Sequence, residues 1–192
     1  MPNTQTIFIE GEKEIDSNIY NTISVLDALP TKEIISALII DLVYYHMCLK
    51  GYQDINLFTK QRGKTSQSDQ LLDQLIRCIV AKGKQFENKF KPRFENRHGL
   101  LLKTPEKAQL DYMETLDNIW SDKLINWGRF LSYVTFVASY CIGCLDIGMV
   151  YIIKLLVEYA IKDLDRKISH WIRTLGGGWR GLYHALNTMK LD

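Results

Sequence analysis

The chain has 192 residues, with 24 Lys+Arg against 22 Asp+Glu for a net charge of +2; 46% of residues are hydrophobic and 24% charged. This is ordinary globular composition, long enough for one domain with a substantial core, and it excludes a disordered chain. Near-neutrality also leaves no broad basic footprint for nucleic acid.

Residues 1–30 read as an N-terminal extension. Met1 to Glu10 lack the basic start and apolar run of a signal peptide. Behind Asp16 and Ser17, the residues Ile15, Ile19, Ile23 and Leu26 recur at helical spacing. They predict a short amphipathic helix that either packs on its own domain or reversibly occupies a groove elsewhere on the protein. The main domain runs over 31–192. Thr31 is the expected cap of a helix with Ile35, Leu38, Ile39, Leu42, Tyr45 and Leu49 on one stripe and Gly51 as its stop. Residues 51–69 turn polar and read as a mobile loop.

Ser68 or Asp69 is then expected to cap a second helix carrying Leu72, Leu75, Ile79, Phe86 and Phe90, with Pro92 at its end. After a short irregular or helical stretch, Thr104-Pro105-Glu106 supplies a cap, a proline at the first position and an acid after it. The helix so begun carries Leu110, Met113, Leu116, Ile119, Trp120 and Leu124. Asn126 is placed to cap the next one, whose core FLSYVTFVASYCIGCL (Phe130 to Leu145) has 16 residues and no charge. A membrane span needs about 18–20 apolar residues. The shorter run, the polar Ser132, Thr135 and Ser139, and the closing Asp146 and Gly148 favour the buried central helix of a bundle.

Met149 to Asp163 is apolar again and completes a central hairpin. Two short pieces follow, around Lys167–Thr174 and Trp179–Thr188, on either side of Gly176-Gly177-Gly178. With only four prolines and no strong two-residue hairpin signal, the fold class is all-α, a single globular bundle around the central hairpin.

No enzymatic constellation emerges. The four cysteines Cys48, Cys78, Cys141 and Cys144 lie in apolar stretches, which favours a reducing compartment over a disulfide framework. Cys141 and Cys144 form CxxC inside an apolar helix, with no second ligand pair, and read as core residues. His46, His98, His170 and His184 have no metal spacing, and the triple glycine is not followed by the Lys-Ser/Thr of a phosphate loop. The expectation is a protein without catalytic activity, metal, cofactor, small-molecule substrate or nucleic-acid partner.

The tetrapeptide Asn126-Trp127-Gly128-Arg129 stands out. Arginine in a first helical turn meets the positive end of the macrodipole, a cost of ~0.3–1 kcal/mol, and glycine beside it gives up ~1 kcal/mol of helix propensity. Two unfavourable choices at the mouth of the most apolar helix suggest a site. Glycine lets another backbone approach, and arginine offers a planar fork to a carboxylate. The competing reading pairs Arg129 with an internal acid such as Asp122.

At these residues the chain resembles the Bcl-2 family of apoptosis regulators. NWGR, with KLI before it and FLSYVTF after it, resembles the family's first homology motif. Trp171-Ile172 and Gly177-Gly178-Trp179 resemble the second, with one extra residue among the glycines and no gap in the spacing from Trp127. Ile40-Asp41-Leu42 through Lys50-Gly51-Tyr52 is similar to the fourth, and Ile79, Gly83, Phe86 and Glu87 more weakly to the third. The resemblance covers residues 31–188; residues 1–30 have no counterpart in it.

The resemblance implies a bundle of about eight helices that binds a partner's amphipathic BH3 helix in a surface groove. It assigns Arg129 to the ligand's aspartate, with Asn126 hydrogen-bonding nearby and Gly128 admitting the ligand backbone. By position, the groove is expected to be floored or walled by Phe86, Phe90, Phe94, Leu110, Met113, Leu116, Trp120, Phe136, Leu182 and Tyr183, each of which has internal core as its competing reading.

The family contains opposite activities. Where a ligand-competent BH3 segment has Gly-Asp, this chain has Gly83-Lys84, which sets a like charge against another molecule's arginine. The expectation is therefore a pro-survival receptor for BH3 helices of pro-apoptotic proteins. The alternatives are a pore-forming executioner of the same fold and a helical scaffold without groove activity. The family further implies cytosolic exposure and membrane association at the outer mitochondrial membrane. Its members commonly carry an apolar C-terminal anchor, whereas this sequence stops at Lys190-Leu191-Asp192.

Overall fold

The uncharged stretch becomes the axis of the molecule. The structure is a computed structural model that describes residues 22–52, 55–58, 67–101 and 104–190, and of residues 67 and 89–101 the backbone alone. A short 3-10 helix (Ile23–Ala28) precedes α1 (Thr31–Leu49), α2 (Gln67–Leu101), α3 (Pro105–Asn118), α4 (Trp127–Asp146), α5 (Val150–Thr174) and α6 (Gly178–Thr188). No strand occurs among the described residues. Helix α4 packs against α1, α2, α5 and α6, and its buried side chains, from Trp127 and Phe130 to Cys144 and Leu145, cover most of its circumference, leaving one narrow stripe of Gly128, Ser132, Ser139, Gly143 and Asp146 that is not fully buried. It is long and apolar enough to cross a membrane by length and composition, yet most of it is buried inside the bundle.

Helix ends follow local chemistry. The Thr104 hydroxyl accepts the Lys107 amide at 3.3 Å, with Pro105 at the first helical position. Gly51 (φ +82°) and Gly148 (φ +79°) stop α1 and α4 in the left-handed region. The following amides of Tyr52 and Met149 turn back to the carbonyls of Met47 (2.9 Å) and Cys144 (2.8 Å).

Five expected boundaries are corrected. Helix α3 ends at Asn118, so Ile119, Trp120 and Leu124, expected on it, lie in the turns and loop that follow. Thr31 is the first helical residue rather than the cap: the fixed φ of Pro30 turns the chain in one residue earlier, and the Pro30 carbonyl takes the amides of Glu33 and Ile34. Ser68 and Asp69 lie inside α2, which starts at Gln67. The helix does not end at Pro92 but continues to Leu101, because one missing donor is a local penalty that turns on both sides can absorb. The expected helix at 149–163 starts at Val150, with Met149 at its N-cap position, and runs on through Lys167–Thr174 as one helix, α5. Its buried stripe passes through Leu164 to Ile168 and Ile172, so the charged segment between them does not interrupt the packing.

That charged segment holds a buried acid. Asp163 accepts from the Tyr133 hydroxyl at 3.0 Å and from Arg166 and Lys167 at 2.8 and 3.0 Å, both one turn further along α5. The Tyr133 hydroxyl also lies 3.1 Å from the Ala160 carbonyl, so it ties α4 to α5 at the middle of the hairpin. Tyr133→Phe is expected to lower stability by ~1–2 kcal/mol in urea denaturation, since two buried acceptors lose one donor. No change would mean that the hairpin is held by apolar packing alone.

Of the N-terminal stripe, Ile23 and Leu26 are buried in the core, while Ile15, Asp16, Ser17 and Ile19 lie outside the described residues, as does most of 51–69. The neighbouring Asp27 accepts the Trp179 amide at 2.9 Å, so a carboxylate 152 residues away in sequence caps α6.

Candidate ligand-binding site

The mouth of α4 is built outward from Trp127. Its ring is buried among Trp171 (centroids 4.9 Å apart), Phe130 (5.5 Å) and Trp179 (6.3 Å), and its indole N–H donates to the Gly176 carbonyl at 2.9 Å. Asn126, in extended conformation, caps the helix by accepting the Arg129 amide at 2.9 Å. With Trp127 fixed inward, Gly128 and Arg129 are left half-buried at the surface.

Arg129 holds an internal acid. Its guanidinium donates through both terminal nitrogens to the two carboxylate oxygens of Asp122, and one of them also reaches the Ile119 carbonyl at 2.6 Å. Asp122 accepts the Leu124 amide at 3.0 Å as well, across a turn in which Lys123 takes φ +63°. The Leu124 amide and the Arg129 guanidinium hold the Asp122 carboxyl below its usual range. A depressed carboxyl contributes its pairing above the unfolded value and loses it as pH falls through the folded one, so the pair is intact at neutral pH and opens only in acid, below the ordinary carboxylate range.

A methyl group added at Gly128 would lie 3.2 Å from Asn126 Oδ1 and 3.7 Å from Met189 Cε. Met189, just past α6, is tied down by Lys82 of α2, which donates to its carbonyl at 2.8 Å. Nothing in the local pattern around Met189 marks it as a neighbour of Gly128; the contact exists only through the packing of α6 and α2.

The remaining candidates divide. Leu110 is 68% exposed, and Met113 and Phe86 are half-buried. Leu116, Trp120, Phe136, Leu182 and Tyr183 are buried with the core. Phe136 stacks on Tyr112 with centroids 5.8 Å apart, and Trp120 lies 6.0 Å from Tyr133. Phe90 and Phe94 stand on α2, their side chains outside the described residues. Among the described residues, no group of three His, Cys, Asp or Glu side chains is placed to hold a metal ion. Cys141 and Cys144 are buried, and burial pushes their thiols up, that of Cys144 to about 12, which leaves them inert rather than redox-active.

Residues 79–179, just over half the chain, match the sequence model of the apoptosis regulator proteins, Bcl-2 family. Bcl-2-like protein 1 of Sus scrofa is 25% identical over 97 residues, which are 50% of this chain and 41% of that protein. Apoptosis regulator Bcl-2 of Gallus gallus is 24% identical over the same length. The chain thus spans less than half of these curated relatives. Trichoplax adhaerens trBcl-2L2, solved in crystals bound to trBak BH3, shares the fold at TM-score 0.65 and 20% identity, over 81% of this chain and 98% of that one. The matched span runs from the middle of α2 through the Arg129 site and the central hairpin to Trp179, and with it the all-helical bundle finds its place: the chain belongs to the Bcl-2 family of apoptosis regulators.

Proposed function

We propose that the chain is a pro-survival regulator of apoptosis that holds BH3 helices of pro-apoptotic partners in a hydrophobic surface groove. In this reading Arg129 meets the ligand's aspartate, Asn126 hydrogen-bonds beside it, and Gly128 admits the ligand backbone. Phe86, Phe90, Phe94, Leu110 and Met113 receive its apolar face. The observation that carries the reading is the Arg129 fork, which grips a carboxylate at the surface beside a glycine, at the mouth of the central helix. Bidentate geometry of this kind is selective for planar carboxylates. Helix-in-groove recognition, of which BH3 segments on Bcl-2 proteins are a known instance, supplies the rest through apolar anchors at i, i+3/i+4 and i+7. The fold likeness to trBcl-2L2, itself bound to trBak BH3, supports the same mode.

The pro-survival sign rests on α2. Gly83 is buried while Lys84 is exposed, so a BH3-like use of this segment would carry a lysine toward another molecule's arginine. The protein then acts by binding rather than catalysis, in the cytosol, and meets its partners at the outer mitochondrial membrane. The test is titration with a fluorescent Bak-type BH3 helix beside a liposome-leakage assay. Binding without leakage is expected; leakage on helix addition would make the chain an executioner, and no binding at micromolar concentration would leave a scaffold.

A further inference from the structure

We propose, resting on the receptor reading above, that Asp122 is an internal competitor for the ligand's aspartate and sets how strictly the site selects helices that carry one. Arg129 in the unliganded protein is not an open fork: its two terminal nitrogens are taken up by Asp122, with one shared by the Ile119 carbonyl. A second carboxylate on the same face must displace Asp122 or share the guanidinium with it, and sharing sets two like charges together. The Asp122 position is built rather than incidental. The Leu124 amide holds one oxygen, and Lys123 adopts a left-handed backbone that few lysines take, between the held acid and the holding amide.

The competitor is weak enough to be displaced. The Asp122 side chain is 47% exposed and that of Arg129 25%, so solvent screens the pair, and the released acid keeps its Leu124 hydrogen bond and gains water. A helix with a well-placed aspartate replaces like for like, while a helix without one leaves the internal pair closed and gains nothing from Arg129. Asp122 thereby serves two ends: it keeps the guanidinium oriented for a carboxylate before any ligand arrives, and it lowers the affinity for every helix that uses it.

The test measures Bak-type BH3 helices, with the aspartate and with alanine in its place, against wild type, Asp122→Asn and Asp122→Ala. Asp122→Asn keeps the Leu124 hydrogen bond and removes the charge; thermal melts check that each variant folds. Asp122→Asn is expected to tighten binding of the aspartate helix by roughly two- to fivefold, the scale of a partly exposed ion pair. The alanine helix should bind all three proteins alike. Equal affinity of wild type and both variants for the aspartate helix, or an equal gain for both helices, overturns the competitor while leaving an aspartate-dependent receptor in place. No binding of either helix to any of the three proteins overturns the receptor reading and the competitor with it.

Discussion

Replacing Gly181 with alanine is expected to cost ~3 kcal/mol or more of stability, although alanine is the better helix former by ~1 kcal/mol. The reason is a backbone-to-backbone approach where α5 hands over to α6. The Gly176 carbonyl, at the end of α5, accepts the Trp127 indole N–H at 2.9 Å and is covered by Gly181. A methyl group at Gly181 would lie inside the van der Waals envelope of that carbonyl oxygen and 3.0 Å from Trp127 Nε1. Neither neighbour is the end of a flexible side chain, so α6 must withdraw, and with it Trp179, Leu182 and Leu186, all buried. Overpacking against a backbone atom that cannot yield lies at the upper end of such penalties. Urea denaturation reads the loss directly; stability within ~1 kcal/mol of wild type would mean that α5 and α6 do not meet this closely.

Gly128→Glu is expected to separate binding from folding. Around Gly128 a new Cβ meets the Asn126 amide oxygen at 3.2 Å, which must give by only a few tenths of an ångström and can do so while capping the Arg129 amide, and the flexible end of Met189 at 3.7 Å. An acid in the first turn of α4 also gains ~0.3–1 kcal/mol from the helix dipole. Thermal melts should therefore stay near wild type. The same carboxylate fills the approach for a ligand backbone and sets a negative charge beside Arg129, where the ligand's aspartate must arrive. Binding of a BH3 helix is expected to weaken ~10- to 100-fold or more. Unchanged affinity would move the ligand backbone away from Gly128, and a collapsed melt would make the glycine structural.

Much of this was readable from residue order because it is local. The stops at Gly51 and Gly148, the Thr104 cap with Pro105, the Asn126 cap and the buried α4 depend on neighbours within one turn or on composition over a few turns. Where the structure departs from these expectations, the surrounding turns or packing against another helix outweighed the signal of a single residue. Pro92 is a helix-ending residue by its own chemistry, yet α2 passes through it. The step from Asp163 to Lys167 reads as a break, yet α5 runs through it, and Asp163 at its edge is buried because Tyr133 of α4 and two basic residues of its own helix satisfy it.

The site was legible in part. Gly128 and Arg129 declared themselves through locally unfavourable choices beside the Asn126 cap, and Asp122 was a competing partner for Arg129 from the start. That Arg129 takes Asp122 depends on the Lys123 turn, which no propensity scale singles out. Asp27 and Met189 were invisible: their contacts with Trp179 and Gly128 are long-range in sequence, and neither carries a signal beyond its own type. The apolar positions expected to line a groove fall along a gradient from exposed Leu110 through Met113 to buried Leu116, because one stripe on α3 serves both surface and core.

Contact between Arg129 and the ligand's aspartate is read by a double-mutant cycle: wild type and Arg129→Ala, each titrated by calorimetry with a BH3 helix bearing aspartate or alanine. Arg129→Ala is expected to weaken binding of the aspartate helix by ~1.5–3 kcal/mol, about 10- to 100-fold, and barely to alter that of the alanine helix. An equal loss for both helices, or no loss for either, would contradict that contact and take Arg129 out of it.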